Sequence, residues 1–109
     1  MTQEPWEVQR YVDKAGVCPF EDWLSRLDPK TQTRIAARLD RIVDGNFGDC
    51  KSLRERLYEL RFFFGPGYRI YYGIVGRRIV LLLAGGDKKD QTKTIKTAKR
   101  LLNDYRLNK

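Results

Sequence analysis

The chain has no histidine among its 109 residues and only two cysteines, Cys18 and Cys50. Without histidine it lacks the commonest general base near neutral pH, the Ser-His and Cys-His nucleophile arrangements, and the partner that would complete a zinc site. The two thiols stand alone with no metal-like spacing, so they read as ordinary buried or half-buried residues. Long apolar runs are missing as well. The opening MTQEPWEVQR has no hydrophobic leader core, and no stretch approaches the roughly eighteen apolar residues of a membrane span. A cytoplasmic protein is expected, with no membrane partner, metal or cofactor. No internal repeat or low-complexity segment marks a second domain, so residues 1–109 read as one domain, able to bury roughly two-thirds of its unfolded surface. Any chemistry falls to Arg, Lys, Tyr, Asp or Glu.

Positive charge is abundant. Lysine and arginine number 22 against 14 acids, a formal charge of +8. That is the electrostatic footprint of a polyanion binder, although a basic surface also serves solubility or meets an acidic protein.

The most informative stretch runs from Leu57 to Asp90, LYELRFFFGPGYRIYYGIVGRRIVLLLAGGDKKD. Three runs of aromatic and branched residues, divided by Gly65-Pro66-Gly67 and Gly76-Arg77, predict an antiparallel meander. A three-residue turn pairing Phe64 with Tyr68 would set Phe62 opposite Ile70, Phe63 opposite Arg69 and Arg61 opposite Tyr71. One face then holds Leu60, Phe62, Phe64, Tyr68, Ile70, Tyr72 and Ile74, a core. The other holds Glu59, Arg61, Phe63, Arg69 and Tyr71. A two-residue Gly76-Arg77 turn would pair Val75 with Arg78, place Leu81 and Leu83 on the core face, and put Arg69 opposite Ala84. The third run is apolar on both sides, so it predicts a central strand covered on both faces.

Around this stretch, Trp6 to Val12 alternates as a further strand, with Trp6, Val8 and Val12 on one face. Pro19 opens a short helix striped by Phe20, Trp23, Leu24 and Leu27. Asp28-Pro29 starts a second helix with Ile35, Leu39, Ile42 and Val43 inward and Arg34, Arg38 and Arg41 on other faces, read as a solvated surface. Asn46 to Glu55 reads as a mobile loop bringing Lys51 and Arg54 near the site. The last helix, Lys88 to Arg106, buries Ile95, Ala98, Leu101, Leu102 and Tyr105 and carries Lys93 on a polar side. The expected fold class is α+β, ordered β-α-α-β-β-β-α. A four-stranded, mainly antiparallel sheet would carry a helical hairpin and a C-terminal helix.

Arg61, Arg69, Lys88 and Lys89, with Phe63 and Tyr71 between them, have the composition of a single-stranded nucleic-acid surface. Cations meet phosphates there, and flat rings meet unstacked bases. The competing arrangement has Phe63 and Tyr71 packed beneath the last helix and the arginines paired with Glu55 or Glu59.

The strings YELRFFFGPGYRIYY, IVLLLAGGDKKDQTKTI and DRIVDGNFGD resemble the phage-derived addiction-module killer branch of the RelE/HigB toxin superfamily. The similarity runs from Trp6 to Leu102. It implies the same element order, cleavage of messenger RNA, commonly on the ribosome, and neutralisation by a cognate antitoxin, with DNA met only through the antitoxin complex. Arg69 would take the place of the phosphate-binding arginine. Arg61 would stand for the basic residue of the preceding strand, and Lys88 or Lys89 for the one just after the last strand. The tyrosine that some relatives carry early in the last helix has no counterpart, since Thr92, Thr94 and Ile95 stand there.

Cleavage through the neighbouring 2′-hydroxyl requires in-line alignment, proton removal, stabilisation of a charged phosphorane and protonation of the leaving oxygen. Expected roles are Arg61 and Arg69 on the phosphate, and Lys88 or Lys89 as acid/base or second clamp. Glu59 is an alternative base, and Phe63, Tyr71, Lys51, Arg54 and Lys93 contact RNA. The alternatives are a ParE-like toxin that inhibits DNA gyrase and an inactive corepressor that binds only its antitoxin.

Overall fold

The computed structural model describes residues 4–108; residues 1–3 and 109, the ends of the stretch read as one domain and the start of the segment read as leaderless, lie outside the described residues. The elements are β1 (Glu7–Arg10), α1 (Pro19–Ser25), α2 (Pro29–Val43), β2 (Cys50–Ser52), β3 (Leu57–Arg61), β4 (Arg69–Val75), β5 (Ile79–Gly86), a 3-10 turn (Lys88–Asp90) and α3 (Gln91–Leu107). The fold is α+β as expected, with one strand more. Its sheet runs β1-β5-β4-β3-β2, parallel between β1 and β5 and antiparallel elsewhere.

The helix starts lie where the sequence places them. Pro19 and Pro29 occupy first-turn positions, where a missing N–H loses no helical bond. The Asp28 carboxylate caps α2, accepting the Thr31 backbone N–H at 3.2 Å and the Thr31 hydroxyl at 2.6 Å.

Two cores sandwich the sheet. On one face Phe20 and Trp23 of α1 and Ile35, Leu39 and Ile42 of α2 meet Leu60, Phe62, Ile70, Tyr72, Val80 and Leu82. On the other, Ala98, Leu101 and Leu102 of α3 meet Leu57, Tyr71, Leu81 and Leu83. Contact is close enough at Gly85 that a Cβ there would stand 2.3 Å from the Trp23 indole, so only glycine lets α1 approach β5.

Register departs from expectation in two ways. Arg61 lies opposite Arg69, and Leu60 opposite Ile70, a shift of two residues from the expected pairing of Arg61 with Tyr71. An even shift returns every side chain to its own face, so the expected core face survives. At the second turn Val75 pairs with Ile79 rather than Arg78. The connection is therefore Gly76-Arg77-Arg78, and the Arg56 guanidinium fastens it by donating to Ile74 O at 2.9 Å and Gly76 O. This odd slip inverts β5: Val80 and Leu82 face the hairpin, and Leu81 and Leu83 face α3. A bulge at Tyr71/Tyr72 then sets Arg69 opposite Gly86 instead of Ala84.

Three smaller corrections complete the fold. The segment read as a loop contains β2, an edge strand paired with β3. Cys50, read as buried or half-buried, is exposed on it. Val12 does not share the inward face of Trp6 and Val8, because β1 ends at Arg10 and Val12 is 54% exposed. Among the described residues no helix is long and apolar enough to cross a membrane.

Candidate functional site

At the end of β3 and the start of β4, Arg61 and Arg69 face each other on the side of the sheet that carries Glu59 and Tyr71. Glu59 is fully buried. Its Oε1 accepts Arg61 Nε at 3.0 Å, and its Oε2 accepts the Tyr71 hydroxyl at 2.9 Å and Gln91 Nε2 at 2.7 Å. Arg69 Nε lies 3.9 Å from Oε1, within ion-pair range. Gln91 is the first residue of α3, so this carboxylate ties the helix start to the sheet.

Burial by itself would push the Glu59 carboxyl upward. The hydrogen bonds from Arg61, Tyr71 and Gln91, aided by the Arg61 charge, outweigh it and hold the group below the usual glutamate range. The same bond raises the Arg61 guanidinium. Burial, then the bond to Glu59, pushes the Tyr71 hydroxyl well above its ordinary value. Glu59 is thus an ionised anchor with both oxygens occupied, and it is not poised to take a proton as the sequence allowed.

What the anchor presents is positive. Arg61 keeps a side-chain exposure of 32% and uses only Nε on Glu59. Arg69, 12% exposed, donates Nη1 to Gly67 O and Tyr68 O, both at 3.2 Å. Gly67 has φ +77°, and a Cβ built there would stand 3.3 Å from Lys88 Cβ and 3.6 Å from Arg69 Nη1. Lys88 therefore backs onto this turn beside Arg69, and Lys89 follows it, exposed, in the 3-10 turn. Phe63, two residues beyond Arg61, is 86% exposed. Lys51 pairs with Glu59 across β2 and β3 and is exposed on the same face.

Three other RNA-contact candidates fall elsewhere. Tyr71 is fully buried between the sheet and α3, so its ring offers no stacking surface. Arg54 sits at the far end of β3 from Arg61, lining a cleft with Lys99 and Arg106. Lys93 lines a separate cleft with Trp23 and Arg26 of the α1 side.

Sequence reasoning missed Gln91 and Arg38. Arg38 Nη1 donates to Arg61 O at 2.6 Å, and Nη2 to Asp49 O at 2.9 Å and Phe47 O at 3.2 Å. Burial draws its pKa down, opposed by the Asp49 charge. Arg38 lies three residues after Ile35 and four before Ile42, beside the apolar stripe rather than on the solvated face assigned to it. Arg34 also differs, its guanidinium carbon 3.7 Å from the Phe64 ring centre. Among the described residues no cluster of three or more Cys, Asp or Glu could hold a metal ion.

Two guanidinium groups held over one buried carboxylate, with a lysine beside them, leave net positive charge at this end of the sheet. Residues 22–104 match the family described as Phage derived protein Gp49-like (DUF891). An uncharacterized protein of Haemophilus influenzae (strain ATCC 51907 / DSM 11121 / KW20 / Rd) is 44% identical over 89 residues, covering 81% of this chain and 90% of its own length.

Proposed function

Because this chain belongs to the Gp49-like phage-derived family of addiction-module killer, RelE-like toxins, we propose that it is the toxin of a type II toxin–antitoxin module. In this reading it cuts messenger RNA on the ribosome in the cytoplasm and is held silent by a cognate antitoxin. The observation that carries the proposal is the pairing of Arg61 with Arg69 over Glu59, beside Lys88.

In this mechanism the scissile phosphate sits on Arg61 and Arg69. The 2′-oxygen attacks phosphorus in line, its proton passes to solvent water, and the P–O5′ bond breaks to give a 2′,3′-cyclic phosphate and a 5′-hydroxyl. Both arginines stay protonated and offset the charge that builds on the phosphorane. Lys88 or Lys89 protonates the departing O5′ or adds a second clamp. Glu59 keeps the arginines aligned instead of moving a proton, and Phe63 and Lys51 contact the flanking strand.

Incubation of the purified protein with programmed ribosomes tests this. Cut transcripts ending in cyclic phosphate are expected, with Arg69→Ala losing at least about a hundredfold in rate, the size of one oxyanion-type interaction. Undiminished cutting by that variant would overturn the mechanism. One observation favours a second reading, a ParE-like toxin that inhibits gyrase without cleaving anything: the two buried titratable groups at the site, Glu59 and Tyr71, are bonded to each other, and their pKa values are shifted away from neutral pH in opposite directions, Glu59 down and Tyr71 up. Expression in growing cells separates the readings. Cut transcripts mark the nuclease, DNA-damage signalling marks the gyrase inhibitor, and healthy growth marks an inactive corepressor.

A further inference from the structure

A groove of about 270 Å³ runs between α2 and the segment that follows β3, lined by Arg34, Arg38, Arg41, Phe62, Phe63 and Phe64. The three arginines stand at i, i+4 and i+7 and therefore share one helix face. No acidic side chain lines the groove. Arg38 spends its donors on backbone carbonyls, while its guanidinium carbon lies 4.8 Å from the Phe62 ring centre. The Arg34 guanidinium carbon lies over the Phe64 ring, 3.7 Å from its centre, a stacking distance. A guanidinium stacked by its face keeps its in-plane N–H fork turned edgewise, the geometry that grips a phosphate. Neither Arg34 nor Arg41 has a carboxylate partner among the described residues.

The groove lies on the helical-hairpin face of the sheet, with Phe62, whereas the site already described lies on the α3 face, with Glu59 and Tyr71; the two approach each other at the end of β3. Phe63 follows Arg61 by two residues, about 7 Å of extended chain, and Arg38 holds the Arg61 carbonyl at 2.6 Å. Phe63, 86% exposed, lines the groove just past that strand end. We propose that this groove is a second subsite for single-stranded RNA, taking the nucleotides beside the cleaved linkage, with phosphates on Arg34 and Arg41 and a base on Phe63. The inference rests on the nuclease reading above. Alternating cations and an exposed ring favour RNA over an acidic peptide, which would leave the ring without a partner.

Fluorescence anisotropy with a labelled 2′-O-methyl oligoribonucleotide reads binding with cleavage blocked. Arg34→Gln with Arg41→Gln is expected to weaken binding at least tenfold and to reduce the log–log salt slope by about 1.4, roughly 0.7 for each phosphate no longer neutralised. Arg41→Gln alone, on an exposed side chain, should remove about half of that slope change. Phe63→Ala should weaken binding roughly fivefold or more, as removal of one base stack does. Arg77→Gln, in the β4–β5 turn, should change little beyond the general field. If the double variant binds normally while Arg69→Ala binds weakly, the groove proposal falls alone. If the wild type binds no oligomer yet cuts transcripts on programmed ribosomes, the groove proposal again falls alone; if it neither binds nor cuts, the nuclease reading falls with it. Binding of poly-glutamate that depends on Arg34 and Arg41, without RNA binding, would overturn the proposal in favour of an acidic protein partner.

Discussion

Replacing Glu59 by glutamine leaves the side-chain shape almost unchanged and removes one buried negative charge. The carboxylate accepts from Arg61 Nε, the Tyr71 hydroxyl and Gln91 Nε2 at 3.0, 2.9 and 2.7 Å. Glutamine has one acceptor oxygen, so its amide must present N–H to at least one of these donors. One charge-assisted bond of about 2 kcal/mol is lost, and two others fall to neutral strength, about 1 kcal/mol less each. Relief from burying an ionised group offsets part of this. Arg61 can turn to water, whereas Arg69, 12% exposed, is left facing no counter-charge. The net expectation is a loss of about 2 to 3 kcal/mol, a fall in Tm on the order of 10 °C for a domain of this size. The pH dependence gives a second check. Because the folded carboxyl lies below the usual glutamate range, its contribution is complete above that range and is lost as pH falls through the lowered value. Thermal melts by circular dichroism should show the gap between wild type and variant at pH 7 and its narrowing as the pH is taken below the usual glutamate range. An equally stable variant at pH 7, or a gap that does not change with acid, would refute the role given to Glu59.

Tyr71→Phe should cost about 2 kcal/mol through the lost bond to Glu59, while affinity for uncleavable RNA stays unchanged. A collapse of RNA binding with normal stability would restore the ring as an RNA-stacking surface. Arg38→Met strips partners from the Phe47, Asp49 and Arg61 carbonyls, and amide exchange should accelerate at Arg61, whose N–H bonds Asp49 O at 3.0 Å. Unaltered exchange would contradict the clamp. Gly85→Ala should drive a methyl into the Trp23 ring and destabilise by about 1 to 3 kcal/mol, seen as lost near-ultraviolet dichroism. Retention of the native signal would show that α1 stands off from β5.

Local chemistry made the helices legible in the sequence. Pro19 and the Asp28-Pro29 pair mark starts that depend on nothing distant. The faces of β3 and β4 were legible because a two-residue error in register is invisible to side-chain alternation. The faces of β5 were not, because Arg78 joins the turn and a bulge follows, and neither leaves a mark in a run of five branched or long apolar residues. β2 was missed because Cys-Lys-Ser is short and has no apolar alternation, and it is held only by pairing with β3. At the site, the nearness of Arg61, Arg69 and Lys88 followed from strand order. The depth of Glu59 did not, since a glutamate in a strand normally reads as a wet position. Tyr71 and the arginines cover it from the sheet, and Gln91 at the start of α3, 32 residues later, adds a partner from the helix.

The parallel pairing of β1 with β5 joins residues 7–10 to residues 79–82, and Gln91 comes later still. A nascent chain cannot complete its sheet until residues 79–82 have left the exit tunnel, or fasten Glu59 beneath its arginines until Gln91 has followed. For a protein proposed to attack translating ribosomes, the damaging surface therefore cannot form while only the segment that carries its arginines has emerged; it waits for β5 and the first turn of α3.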